Sequence, residues 1–202
     1  MLLSGDAFFP EASPPATSGG LRAGVLFTEP ATGNSSAERF LGLVVAGTRK
    51  RLYISNSYFV PNAALPRLLV RAVNDGVDVR ILTTGSNTDV ATALLAGRHY
   101  YGDLLAHGIR IYEYQPTMMH AKTMVVDGTW STVGSSNFDD RSFRLNDEVN
   151  VNIYDEGIAS EMEAMFMEDL SRSCEISLKR WFRRPLFEKL KESFAGVLKR
   201  QL

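Results

Sequence analysis

The chain has 202 residues, of which 45% are hydrophobic and 22% are charged, and its formal net charge is −1. This length and composition predict one globular domain with a substantial core, and the charge argues against a protein that coats nucleic acid. The single cysteine, Cys174, excludes an internal disulfide framework. Neither the cysteine nor the histidine spacing suits a zinc site, so we expect no metal and no cofactor.

The N-terminal segment has the composition of a linker. Residues 1–23 contain Pro10, Pro14, Pro15 and Gly19-Gly20 among Ser, Ala and Thr. They lack the basic and apolar regions of a signal peptide, and no apolar run in the chain approaches the length of a membrane span. We expect the folded domain to occupy residues 24–175.

Strand-like and helix-like segments then alternate. Strands are predicted over residues 24–28, 51–59, 77–81 and 109–114, and helices from Ser35 onward and over residues 63–74 and 88–106. Successive strand–helix–strand units predict an α/β fold with a largely parallel sheet flanked by helices. The loop 84–88 follows the carboxyl end of a strand, where ligands bind in open α/β sheets, and is a weak candidate for a substrate site. Asp89 and Arg98 are expected to face solvent, and His99 and His107 to be structural or solvated.

The stretch from His120 to Asn137 predicts a β-hairpin that carries reactive groups. Residues 121–127 and 129–134 are strand-like, and Asp127-Gly128 between them is typical of a hairpin turn. Side chains alternate along a strand, so His120 and Lys122 should share one face. Ser135 and Asn137 repeat this spacing where the second strand returns toward His120. With a further strand at 148–154, the hairpin adds antiparallel pairing, so the predicted sheet is mixed.

These side chains suit chemistry on a phosphodiester. The imidazole of His120 can attack phosphorus or transfer a proton near neutral pH. Lys122 offers a positive charge to the non-bridging oxygens, and Ser135 and Asn137 offer neutral donors. A carboxylate such as Glu148 could fix the tautomer of the histidine. Asp127 lies in the turn, so its position favours a structural role before a chemical one.

The end of the chain differs in character. A helix is predicted from Glu156 to about residue 173. Residues 176–202 then hold eight Lys or Arg and two Glu, a net charge of +6, with an apolar stripe that begins at Leu186. This pattern predicts either a basic amphipathic helix on an anionic membrane surface or a terminal helix packed on protein.

The motif His-x-Lys-x4-Asp-x6-Gly-Ser-x-Asn, at residues 120–137, resembles the signature of the phospholipase D superfamily. The run Ile54–Pro61 (ISNSYFVP) and the run Asn137–Glu148 (NFDDRSFRLNDE) are similar to segments of bacterial cardiolipin synthases. The resemblance covers roughly residues 24–173.

The resemblance implies a phosphatidyltransferase, peripheral on the cytoplasmic face of the cell membrane, that moves a phosphatidyl group through a phosphohistidine without a metal ion. Its substrate would be an anionic phospholipid such as phosphatidylglycerol, and nucleic acid is not an expected partner. His120, Lys122 and Asp127 match the active-site triplet of the family, and Ser135, Asn137 and Glu148 would support them. His120 could be the nucleophile or the general acid.

Family members build one active site from two signatures, whereas this chain carries one. It therefore resembles the C-terminal half of a two-signature enzyme, and a missing N-terminal half or a second copy would complete the site. Two alternatives stay open: a phospholipase D-type hydrolase or nuclease-type phosphodiesterase active as a homodimer, and a non-catalytic half that completes or anchors another subunit.

Overall fold

The computed structural model describes residues 20–28 and 36–185. The strands of this part of the chain are β1 (Arg22–Thr28), β2 (Arg51–Asn56), β3 (Asp78–Thr84), β4 (Arg110–Tyr114), β5 (Lys122–Val126), β6 (Trp130–Gly134), β7 (Glu148–Tyr154) and β8 (Ser173–Glu175). Its helices are α1 (Ser36–Gly47), α2 (Ala64–Asn74), α3 (Ala91–Ala106), α4 (Asp140–Arg144), α5 (Glu156–Ser171) and α6 (Leu178–Phe182). The short elements α4 and β8 were not predicted, because three to five residues carry too little periodicity to recognise.

All eight strands form one mixed sheet in the order β1-β7-β6-β5-β2-β3-β4-β8. The pairs β2–β3 and β3–β4 are parallel, and the other five neighbouring pairs are antiparallel. The predicted α/β fold with a mixed sheet flanked by helices is confirmed. The expectation of a largely parallel sheet is corrected, because helical crossovers join strands that are also sheet neighbours only in the pairs β2–β3 and β3–β4. The hairpin inserts beside β2 and is followed in the sheet by β7 and β1.

Helices cover both faces of the central strands. On one face, Ile54, Ile81 and Ile111 lie side by side in the β2–β3–β4 register, and α1, α2, α3 and α6 pack over them. On the other face, Tyr53 stacks on Phe166 of α5 with ring centroids 4.9 Å apart. These two cores hold β2 rigidly, and its carboxyl end leads into the candidate site.

The basic C-terminal segment is described only as far as residue 185. Trp181 in α6 is 6% exposed and packs on Tyr101 of α3, with ring centroids 5.0 Å apart. The guanidinium of Arg184 lies over the Trp181 ring. This part of the segment therefore packs on its own domain, while the predicted apolar stripe from Leu186 onward lies outside the described residues, as do residues 1–19 of the predicted linker. Within residues 20–28 and 36–185, no helix combines the length and apolar character needed to cross a membrane.

Candidate active site

The predicted hairpin is present, and its turn uses two residues with positive φ. Asp127 has φ 55° and Gly128 has φ 69°. Two consecutive left-handed residues form the mirror-image turn that matches the twist of paired strands, and Asp and Gly tolerate this conformation. The turn sets the register in which Thr123 of β5 faces Val133 of β6.

The hairpin brings its first residue to the carboxyl end of β2. Lys122 lies opposite Asn56, the last residue of β2, in the antiparallel β2–β5 pairing. Just beyond this pair, the backbone N–H and the hydroxyl of Ser57 both donate hydrogen bonds to the carbonyl oxygen of Ala121, each at 3.1 Å. The chain at His120 is therefore fixed against the end of a central strand.

Lys122 is buried beneath the histidine. Its side chain is 9% exposed, and Nζ donates hydrogen bonds to the His120 carbonyl oxygen at 3.1 Å and to Ser57 Oγ at 3.2 Å. Burial lowers the pKa of Lys122, and the negative charges of Glu148, Asp139 and Asp89 act in the opposite direction. Of these carboxylates, those of Glu148 and Asp139 are buried like the ammonium, whereas that of Asp89 is exposed.

The His120 side chain is exposed and lies against Tyr58. The two rings meet edge to face, with centroids 5.9 Å apart, and Lys122 Nζ lies 5.6 Å from the Tyr58 ring centroid. The Tyr58 hydroxyl donates to Asp89 at 2.6 Å, and burial together with this hydrogen bond raises the pKa of Tyr58 to about 12. Tyr58 therefore stays neutral while its ring borders both the imidazole and the ammonium.

Sequence reasoning missed Ser57, Tyr58 and Asp89 as members of this site. Asp89 is exposed, as expected, and its carboxylate also accepts a hydrogen bond from the Tyr58 hydroxyl. The available signal was the polar run at the end of β2, since side chains at the carboxyl end of a parallel strand line the usual ligand crevice.

Glu148, the first residue of β7, is 8% exposed. Oε1 accepts a hydrogen bond from Asn146 Nδ2 at 3.2 Å. The hydrogen bond expected from the His120 ring to Glu148 is not present among the described residues. The donor to this carboxylate is instead the Asn146 side chain. The charge of Glu148 instead raises the pKa of Lys122, so the carboxylate acts on the ammonium electrostatically.

The loop after β6 separates the two supporting residues of the motif. Ser135 is exposed, and its Oγ accepts a hydrogen bond from the Val149 backbone N–H at 3.0 Å. Asn137 donates its backbone N–H to Ser142 Oγ at 3.1 Å, and its Oδ1 is buried without a hydrogen-bond partner in the described part of the chain. Ser135 thus secures β6 to β7, whereas Asn137 faces a pocket.

Asn56 ties this loop to the end of β2. It is fully buried, its Oδ1 accepts from the Phe138 backbone N–H at 3.1 Å, and its Nδ2 donates to the Ser136 carbonyl oxygen at 3.4 Å. A buried carboxamide with both ends satisfied favours one loop conformation. The position of Asn137 relative to Lys122 is therefore set by a side chain of β2.

Asp127 lies at the opposite end of β5 from His120. Its carboxylate accepts hydrogen bonds from three consecutive backbone N–H groups, those of Arg49 at 2.9 Å, Lys50 at 2.7 Å and Arg51 at 2.9 Å. A five-residue strand separates the two ends by roughly 17 Å. This geometry favours the structural role that the turn position suggests, away from the reacting groups.

A pocket that opens to solvent borders Tyr58. One wall is polar and comes from α4 and its flanking loops: Asn137, Asp139, Arg141, Ser142 and Asn146. The facing wall is apolar and includes Val60, Val90 and Ala93. Burial raises the pKa of Asp139, although its carboxylate accepts the Ser142 backbone N–H at 2.7 Å as the N-cap of α4.

The other two histidines lie away from these groups. His107 caps the end of α3, with Nδ1 2.8 Å from the Asp103 carbonyl oxygen, and the His99 ring meets Tyr100 edge to face at 5.4 Å. Arg98 does not face solvent freely as expected, because it forms an ion pair with the buried Glu113. Over residues 20–28 and 36–185, no group of three or more His, Cys, Asp or Glu side chains could hold a metal ion.

The family model described as "Cardiolipin synthase, PLD-like domain" matches residues 44–170, which include every motif residue from His120 to Glu148. The chain therefore belongs to this family.

Curated relatives agree with the family match. The chain is 36% identical over 180 residues to the probable cardiolipin synthase YwiE of Bacillus subtilis, covering 88% of the chain and 36% of the relative. It is 36% identical over 155 residues to the cardiolipin synthase of Listeria welshimeri, covering 77% of the chain and 32% of the relative. The chain thus spans about a third of the length of these relatives.

Solved structures share the fold. The phospholipase D family member Nuc from Salmonella typhimurium matches with a TM-score of 0.65 at 19% identity, over 77% of this chain and 99% of Nuc. The phosphatidylserine synthase of Haemophilus influenzae matches with a TM-score of 0.64 at 18% identity, over 87% of this chain and 45% of that protein. At these identities the likeness concerns the fold alone.

Proposed function

We propose that this chain is part of a phosphatidyltransferase of the cardiolipin synthase type, which moves a phosphatidyl group between phospholipids. The observation that carries the proposal is the exposed His120, whose ring borders Tyr58 and whose carbonyl oxygen accepts a hydrogen bond from the buried ammonium of Lys122, within the matched family region. An accessible nucleophile or acid beside a fixed positive charge suits the transfer of a phosphoryl group.

The reaction has two displacement steps. In the first, a histidine ring nitrogen attacks phosphorus, a P–N bond forms, and the P–O bond to the departing alcohol breaks while a second histidine gives that oxygen a proton. In the second, the acceptor hydroxyl passes its proton back to the second histidine, and its oxygen displaces the ring nitrogen from phosphorus. His120 is one of these two histidines, as nucleophile or as general acid.

The residues around His120 have separate roles in this reaction. Lys122 offsets charge on the non-bridging oxygens, and the negative charge of Glu148 favours the protonated form of Lys122 against the effect of burial on its pKa. Tyr58 limits the positions that the imidazole can take. Ser135 and Asp127 hold the backbone that carries the reacting groups, through their bonds to Val149 and to residues 49–51.

A second histidine has to come from another signature, either in the N-terminal half of a longer chain or in a second copy. An apolar sheet face next to the site supports such docking. Val25, Phe27, Val133, Val149 and Val151 are neighbours across β1, β7 and β6, and each is 39–57% exposed. Exposed apolar faces of this kind mark association surfaces, and this one reaches Ser135, whose Oγ accepts a hydrogen bond from Val149.

The substrate that we propose is an anionic phospholipid such as phosphatidylglycerol, met at the membrane surface. The basic residues after position 176 would attract the chain to anionic lipid, each contributing about 1 kcal/mol near the surface. Liposome sedimentation tests this attachment: truncation after Pro185, which keeps Trp181 in the core, should weaken binding to anionic vesicles, and undiminished binding would reject a membrane role for residues 186–202.

The activity is tested with vesicles that contain labelled phosphatidylglycerol, using the chain in a form that includes a second signature. We expect labelled diphosphatidylglycerol, and His120→Ala should reduce its formation by at least a hundredfold, the contribution typical of an essential proton-transfer group or nucleophile. His107→Ala is the matched control and should retain activity.

Other products, or an unaffected His120→Ala variant, would contradict the proposed transfer reaction. Phosphatidic acid as the main product would indicate a hydrolase, and cleavage of DNA without lipid transfer would indicate a nuclease. Retained transfer in His120→Ala would indicate that this half contributes no reacting group.

A further inference from the structure

The pocket beside Tyr58 contains a positive charge that the transfer reaction does not use. Arg141 lines this pocket, and its Nε donates to the neutral Oδ1 of Asn146 at 3.4 Å. Arg144, one turn away on α4, instead lies 3.8 Å from the carboxylates of both Glu38 and Asp140. Of these two arginines, Arg141 is the one directed toward a concave surface.

The chemistry of the pocket suits an anion that carries a hydroxyl group. A guanidinium presents parallel N–H donors that match a phosphate, and Asn146 can donate or accept with a hydroxyl. Asp139 offers an oxygen acceptor at the same wall. The apolar side, with Val60 and Val90, suits the carbon skeleton of a small polyol.

The pocket lies next to the reacting groups, because Tyr58 borders both and a residue of the motif lines its wall. Tyr58 lines it and also borders His120 and Lys122. Asn137 belongs to the motif and faces the same space. A ligand with its phosphorus at His120 and the rest of its headgroup past Tyr58 would enter the pocket that Arg141 lines.

We propose that this pocket binds the acceptor phospholipid by its non-reacting phosphodiester, with Arg141 as the anchor and with Asn146 and Asp139 at the hydroxyls of the glycerol headgroup. This assignment rests on the proposed transferase function and names the residues that would hold its acceptor. An anchored acceptor places its free hydroxyl toward His120 and occupies the space from which water would attack, which favours transfer over hydrolysis.

The test measures binding to the purified chain by calorimetry, so that it does not depend on turnover. The two probes are glycerophosphoglycerol, the water-soluble headgroup of phosphatidylglycerol, and inorganic phosphate. We expect tighter binding of glycerophosphoglycerol, and Arg141→Met should weaken it about tenfold, the loss expected for a charged hydrogen bond. Arg141→Lys keeps the positive charge but lacks the two parallel N–H donors, so its affinity should lie between those of wild type and Arg141→Met.

Arg144→Met is the matched control, because it removes an arginine of the same helix that lies outside the pocket lining. Its affinity should stay within twofold of wild type, and urea unfolding of each variant tests that the fold is intact. Equal binding of the two probes, no binding of either, or equal losses in Arg141→Met and Arg144→Met would overturn the proposal. Failure of lipid transfer with selective headgroup binding would instead count against the proposed function alone.

Discussion

Lys122 Nζ donates a hydrogen bond to the carbonyl oxygen of His120, two residues earlier, at 3.1 Å. The ammonium thus anchors the backbone of the histidine, and Lys122 itself is only 9% exposed to solvent. The sequence motif places the two residues on one strand face, and the structure adds that the lysine secures the histidine.

Burial of Lys122 should make the stability of the domain depend on alkaline pH. Its pKa lies below the ordinary value of 10.5 in the folded chain. Between the two values the unfolded chain binds more protons, so the free energy of unfolding should rise with pH across that window. Urea unfolding of wild type and Lys122→Met measures this, and the variant should lack the rise.

Lys50→Met is the control for that series, since Lys50 is exposed. Its pH dependence should match wild type. An identical alkaline slope in Lys122→Met and wild type would mean that the ammonium is not desolvated by the fold.

The hydrogen bond between Tyr58 and Asp89 should affect turnover through the position of His120. Tyr58→Phe keeps the ring and removes a contact of about 1 kcal/mol, so we expect a few-fold decrease in kcat with little change in KM. Tyr58→Ala removes the ring that borders His120 and Lys122 and should decrease kcat tenfold or more. Steady-state kinetics of both variants measures these changes in kcat. Equal kcat values for Tyr58→Ala and wild type would exclude a positioning role for Tyr58.

The sequence predicted the hairpin and the motif because both depend on local signals. The dipeptide Asp127-Gly128 adopts the expected left-handed turn, and Lys122 follows from strand alternation. Most predicted strands and helices end within a few residues of the observed bounds, since strong periodicity marks long elements.

The rest of the site depends on contacts between distant segments. Tyr58 and Asp89 are 31 positions apart, and Asn56 reaches a backbone group 82 positions later. No spacing rule identifies such pairs, because they follow from the strand order. The extent of antiparallel pairing was not predicted for the same reason, because the position of the hairpin beside β2 depends on contacts between distant segments.

Replacement of Asp127 should lower the free energy of unfolding and leave the activity of the folded molecules almost unchanged. Asp127→Ala leaves three backbone N–H groups without their carboxylate and places alanine at positive φ, so we expect a loss on the order of 2–4 kcal/mol in the free energy of unfolding. Activity per folded molecule, measured at low temperature, should stay close to wild type. A large loss of turnover with unchanged urea unfolding would restore a chemical role for Asp127.

Gly134 of the motif is required by close approach of the neighbouring strand. A Cβ at this position would collide with the Val149 carbonyl oxygen and with the Asn150 side chain. Gly134→Ala should therefore destabilise the domain by about 1–3 kcal/mol, the usual range for overpacking. Gly24→Ala in β1 is the matched control, since nothing lies within 4 Å of the added carbon, and it should unfold like wild type. Equal unfolding midpoints for the two variants would contradict this account.

The ion pair between Arg98 and Glu113 should be sensitive to loss of one partner. Glu113 is 5% exposed and accepts two hydrogen bonds from Arg98, at 2.8 and 2.7 Å, which join α3 to β4. Arg98→Met leaves a buried carboxylate unpaired and should lower the free energy of unfolding by about 3–5 kcal/mol. The exposed pair Arg71–Asp75, at 3.8 Å, supplies the control: Arg71→Met should cost less than about 1 kcal/mol.

The double variant Arg98→Met/Glu113→Gln tests the cause of that loss. Because the glutamine carries no charge, it should recover much of the stability that Arg98→Met removes. A double variant as unstable as Arg98→Met would mean that packing of the arginine stem, and not the unpaired charge, accounts for the effect.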